Sequence, residues 1–203
     1  YRKEISKKNN FLVLNLGIFI LGLIFGSIYI TILGKSEKTL IINSVGNYFN
    51  EIKSVSFDNG INVFKNSLIS NLLYNISMWL LGLSAIGLPV IIIMVFFKSF
   101  VLSFSVSSII AKYGFKGILG ALLYIFPSPL ITGIFSIILS TYSMIISVKL
   151  IRSAFTKQTI NFKSFMGKYF FILLISILVS VLCALIDAFA SPYILKLFTT
   201  FIK

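Results

Sequence analysis

The sequence predicts an all-α, polytopic integral membrane bundle in one domain, residues 1–203, with about five spans and an external amphipathic helix. Two observations predict it. Four long stretches are nearly free of charge: 11–33 and 117–148 carry no Asp, Glu, Lys or Arg, 66–111 carries only Lys98, and 169–195 carries only Asp187. Such runs match the length of a bilayer crossing and exceed what a soluble core helix needs. The composition agrees: 58% of residues are hydrophobic, 11% are charged, and the mean hydropathy is +1.02. No stretch remains for a separate soluble catalytic domain.

The first span covers 11–33, behind a basic segment containing Arg2, Lys3, Lys7 and Lys8. It is too long for a signal-peptide core and lacks a clean small-residue cleavage site, so a retained span is expected. Gly22 and Gly26 stand four apart in it, on one helix face, and let another backbone come close. The sequence leaves open whether that face meets another helix of this chain or a second copy in a homo-oligomer.

Segment 35–65 is the one sizeable polar stretch. Ile41, Val45, Tyr48, Phe49 and Ile52 recur at helical spacing, with Asn43, Asn47, Asn50, Glu51 and Lys53 opposite. This is an amphipathic helix that lies on the membrane surface or offers its apolar face to a partner. Phe57-Asp58-Asn59-Gly60 reads as a turn.

Residues 66–111 would reach about 69 Å as one helix, which demands two crossings. The break falls at 82–89, where Gly82, Gly87 and Pro89 interrupt the helix. Spans are therefore expected at 67–81 and 89–111. The second carries Ser99, Ser103 and Ser107 four apart, small hydroxyl residues that favour close helix packing or line a polar path. Residues 117–148 are broken at 127–129 by Pro127-Ser128-Pro129. The first arm is either a half-helix that re-enters the membrane or the upper arm of a kinked span. The last span is expected over 169–186, ending near Ser191-Pro192.

The chain carries 18 basic and five acidic residues, a net charge of +13. Most basic residues flank apolar runs, where they meet anionic headgroups, so membrane lipids and not nucleic acid are the expected partners. Lys149, Arg152, Lys157, Lys163 and Lys168 crowd one loop without an acid. They and the N-terminal cluster are expected in the cytoplasm, with the C-terminus outside.

Lys98 in mid-span costs on the order of 3 kcal/mol to insert. A pair with Asp187 would offset this, as would displacement of the ammonium toward an interface. No catalytic constellation emerges. Histidine is absent and Cys183 is the single cysteine, in an apolar run. This removes metal chemistry of the common kinds and disulfides. Only one aspartate lies in an apolar run, so an intramembrane aspartyl pair is excluded. A Ser–Lys dyad around Lys98 carries little information where serine is so common. No enzyme activity, metal or cofactor is expected.

The order Asn71, Asn75, Trp79-Leu80-Leu81-Gly82, Ile86-Gly87-Leu88-Pro89 and Phe97-Lys98-Ser99-Phe100-Val101 resembles the stage II sporulation protein M family. Pro127, Lys149-Leu150-Ile151-Arg152, Ile186-Asp187-Ala188 and Ser191-Pro192 extend the resemblance over nearly the whole chain. It implies a scaffold in the mother-cell and septal membrane of a sporulating bacterium. Its implied partners are the peptidoglycan hydrolases called stage II sporulation proteins D and P, held for septal wall thinning and engulfment. Within that reading Ile41, Val45, Tyr48, Phe49 and Ile52 are the candidate docking face. The alternative is a channel or transporter component, with Lys98, Asp187 and the serines of 99–107 lining a route.

Overall fold

A computed structural model describes residues 2–53, 57–84, 86–125, 127–156 and 162–202, with side chains described over 9–50, 60–84, 86–125, 127–153 and 166–196. The described residues are helical almost throughout. In chain order the helices are α1 (Arg2–Ile32), α2 (Lys35–Lys53), α3 (Phe57–Gly82), α4 (Gly87–Tyr113), α5 (Lys116–Ile125), α6 (Pro129–Thr156), α7 (Phe162–Leu185) and α8 (Ser191–Ile202). A π-helical turn, Ile186–Ala190, joins α7 to α8 without a loop.

Among the described residues four segments are long and apolar enough to cross a membrane: Asn9–Ile32, Gly87–Tyr113, Pro129–Ser153 and Met166–Lys196. The helix α3 is long enough, about 39 Å, but Asn66, Asn71 and Asn75 lower its hydropathy and it is not among the four. It is nonetheless a bundle member, packed along α6 and α7. It also begins earlier than expected. Phe57–Gly60, expected as a turn, is the first turn of α3. Asp58 there suits a helix N-terminus, where the macrodipole favours an acid.

Contacts fix the directions. Gly22 lies against Phe96 and Ser99, Gly26 against Phe100, and Tyr29 against Phe100 and Phe104, so α1 and α4 run parallel. Asn15 meets Thr141 while Phe19 meets Gly133, so α6 runs against α1. Asn75 meets Ser176 and Ser180 while Tyr169 meets Trp79, so α7 runs against α3. Gly117 sits against Ile109 and Ile110 of α4. The end of α5, at Tyr124, shares a cavity with Leu102 and Ser105, deeper along α4. Hence α5 descends along α4 in the same sense as α6. The arm 116–125 is the upper half of one broken passage and does not turn back. The start of α1, the end of α6 and the start of α7 then fall at one end of the bundle, with four passages before α7.

The core at that end gathers Met78, Ile91, Val95, Leu139 and Met144. At the other end α2, α5 and α8 close over the last turns of α4 through Phe49, Ile109, Ala121 and Leu195. The return from α4 into α5 passes through Gly114 at φ +58°, a left-handed conformation that glycine adopts without a Cβ clash. The chain does not stop at Ser191-Pro192 as expected. Pro192 lies in the first turn of α8, where a missing N–H costs nothing, and the helix continues.

Candidate functional site

The candidate site is a cavity of about 530 Å³ that opens on the side of the bundle. Four irregular or polar pieces of chain build it. From α3 come Asn71 and Tyr74, with Ser67 one turn before Asn71 on the same face. Lys98 comes from α4. Ser128 comes from the break between α5 and α6. Asp187 comes from the π turn, a departure from the α-helical ladder that often marks a functional position.

The geometry around Asp187 is closed. Its Oδ2 accepts hydrogen bonds from Ser67 Oγ at 2.6 Å and from Ser128 Oγ at 3.0 Å. Asn71 Nδ2 in turn donates to Ser67 Oγ at 3.4 Å. Two hydroxyl donors on one carboxylate oxygen replace part of the hydration a carboxylate loses inside a bundle. Lys98 has a different environment. Its Nζ lies 4.0 Å from the centroid of the Tyr74 ring, within the range of a cation–π contact. The Tyr74 hydroxyl is shared with Ser136 at 2.9 Å. Lys98 and Asp187 thus line one cavity, but they make no ion pair. Of the two sequence alternatives for Lys98, a pair with Asp187 or displacement toward an interface, the pair is not formed among the described residues. Among the described residues Lys98 also makes no hydrogen bond to a serine, so the Ser–Lys arrangement is not assembled.

Below the cavity the polar residues lock helices together. Asn75 Nδ2 donates to Ser180 Oγ at 2.8 Å and to the Ser176 carbonyl at 3.3 Å, bridging α3 to α7. Tyr169 donates to the Trp79 carbonyl at 2.8 Å, shares a hydrogen bond with Ser143 at 2.8 Å, and stacks on Trp79 with centroids 5.4 Å apart. Cys183, expected as a small apolar filler, is buried but lies near Ser128, Lys98 and Asp187, beside the polar cavity. Among the described residues no group of His, Cys, Asp and Glu stands close enough to hold a metal.

The remaining candidates fall elsewhere. Gly22 and Gly26 are buried against α4, and a Cβ on Gly26 would collide with the Phe100 carbonyl. The glycine face is therefore filled within this chain. Ser99 and Ser103 belong to the same seam. Ser99 Oγ donates to carbonyls of its own helix, and Ser103 Oγ donates to the Leu23 carbonyl at 2.6 Å. Ser107, half-buried, follows one turn later. These serines pack helices and do not line the cavity.

The expected docking face on α2 is partly turned inward. Phe49 is 1% exposed, edge-on to Tyr113 with centroids 5.4 Å apart, and Val45 packs beside it. Ile41 is half-buried. The side chain of Ile52 lies outside the described residues. Amphipathicity alone cannot say whether an apolar stripe meets lipid, a partner or the chain's own bundle, and here it meets the bundle. Tyr48 remains 45% exposed and Leu40 68% exposed.

Sequence reasoning missed Ser67, Asn71, Tyr74 and Ser128 as site residues. A signal existed in Ser67, Asn71 and Asn75, which repeat a polar side chain every fourth residue within an otherwise apolar helix.

A family model described as Stage II sporulation protein M matches residues 15–192. No curated protein and no solved structure matches the chain.

Proposed function

This chain belongs to the stage II sporulation protein M family, a membrane protein of sporulation, and we propose that it acts as a non-enzymatic scaffold. In this reading it holds peptidoglycan hydrolases, the stage II sporulation proteins D and P, at the septal membrane for wall thinning and engulfment. The observation that supports it best is how little of the chain lies outside the bundle. Nearly every described helix is committed to packing, and the polar helix α2 caps the end opposite the basic clusters. A protein so built presents surfaces and holds neighbours in place.

The positive-inside rule puts the end carrying Arg2, Lys3, Lys149 and Arg152 in the mother-cell cytoplasm. α2 and α8 then face the wall side, where hydrolases act. The docking face is accordingly the outward side of α2, with Leu40, Asn43 and Asn47.

The test is co-purification from sporulating cells with tagged protein. Leu40→Asp with Asn47→Asp is expected to lower hydrolase recovery at least fivefold, a change of about 1 kcal/mol, with membrane content unchanged. Undiminished recovery moves the docking surface off α2. A second reading, a channel or transporter component, draws on the cavity shared by Lys98 and Asp187. Solute flux through proteoliposomes of the pure protein would favour it.

A further inference from the structure

The cavity leaves one charge unanswered. Lys98 stands near the middle of α4, 11 residues from Gly87 and 15 from Tyr113. The chain has only five acids. Asp187 is bound by Ser67 and Ser128, and the other four, Glu4, Glu37, Glu51 and Asp58, lie outside the candidate spans. Among the described residues the ammonium therefore faces the Tyr74 ring, with the Cys183 thiol near it, and makes no ion pair with Asp187 across the shared cavity. A bare lysine at this depth is expensive, and intramembrane basic residues usually meet an acid.

The cavity opens toward the hydrocarbon. Ile93, Phe97 and Val101 line it, follow one another every four residues on α4, and are each more than half exposed, Phe97 at 57%. They form an apolar ridge with Lys98 set beside it, half-buried and reachable. Lipid chains fit the ridge but bring no anion to this depth, because phospholipid phosphates sit at the bilayer surface about 15 Å away. A carboxylate at mid-span of another helix reaches it.

We propose that the α4 ridge docks a transmembrane helix of a partner protein bearing one acidic side chain near its middle, and that this carboxylate enters the cavity to pair with Lys98. This rests on the scaffold reading, since a scaffold for membrane-anchored enzymes has to hold their anchors.

The probes are two leucine–alanine membrane-spanning peptides, identical except for a central Glu or Gln. Energy transfer to the labelled full-length protein in phosphatidylcholine vesicles reads their binding. The wild type should prefer the Glu peptide roughly tenfold, as expected for a polar contact of this kind between membrane helices. Lys98→Met should abolish the preference, and Lys98→Glu should select a central-Lys peptide instead. Unchanged elution of each variant in gel filtration establishes folding. Equal binding of both peptides by the wild type overturns the proposal, as does a preference that survives Lys98→Met. Loss of the preference when phosphatidylglycerol is added assigns Lys98 to a lipid phosphate and also overturns it. Hydrolase recovery is read separately through α2. If recovery persists while peptide selectivity is absent, only this docking site fails; the reverse outcome removes only the scaffold reading.

Discussion

The two sides of α4 are built to opposite rules. On the side facing α1, glycine meets backbone, Ser103 caps a carbonyl of the neighbouring helix, and Phe25, Tyr29, Phe96, Phe100 and Phe104 pack edge-on or stacked. No charge enters that seam. On the side facing α3 and the broken passage, the same helix carries Lys98 into a cavity whose acid is bound to others. Close packing is the main source of stability between helices in lipid, because lipid competes for every loosely held apolar surface. A helix that packs this tightly on one side can tolerate a costly group on the other. The seam sets stability and the cavity uses some of it.

Three substitutions bear on this contrast. The largest effect is expected from Gly26→Leu, which drives a branched side chain into the Phe100 backbone. Overpacking of this kind costs about 3 kcal/mol, and denaturant unfolding in detergent should show it. A loss below about 1 kcal/mol would mean that α1 slides freely and the seam is not close-packed. Next comes Lys98→Met, with the opposite sign. Removing a desolvated ammonium while losing one cation–π contact should stabilise the isolated protein by about 1 kcal/mol in the same measurement. Destabilisation there would show that the lysine is structural and erase the contrast. The smallest effect belongs to Ser103→Ala, expected at about 0.6 kcal/mol for one interhelical hydrogen bond in a membrane protein. A larger loss would make the hydroxyl, and not the glycine contact, the main tie between α1 and α4.

The bundle was legible in the sequence because charge-free runs of bilayer length are rarely built for any medium but hydrocarbon. Spans were expected at 11–33 and 89–111, where the helices run Arg2–Ile32 and Gly87–Tyr113, so the start of α1 was the least legible edge, and the break at 127–129 was visible in its two prolines. The helix α3 was less legible. A span was expected at 67–81 without a role for its asparagines, whereas Asn71 bonds to Ser67 and Asn75 to Ser180 of α7. The residue pair Asp58-Asn59 serves a helix start as well as a turn, so its signal was ambiguous. Lys98 and Asp187 stood out as charges in apolar runs. Their partners did not, because Ser67 and Ser128 lie 120 and 59 residues from Asp187 in the chain. Which of many serines reaches a given carboxylate depends on the relative rotation and depth of three helices, and no local pattern encodes that. The inward turn of Phe49 was hidden for the same reason.

Ser128 belongs to an interrupted passage and Asp187 to a widened turn, and one hydroxyl ties the two irregular backbones together. Adding or deleting a residue in either would rotate its end of this tether by about 100° and strand the other. Insertions and deletions at these two places should therefore be inherited together among related chains, so that a shortened interruption near Pro127 is accompanied by a regularised helix at Asp187.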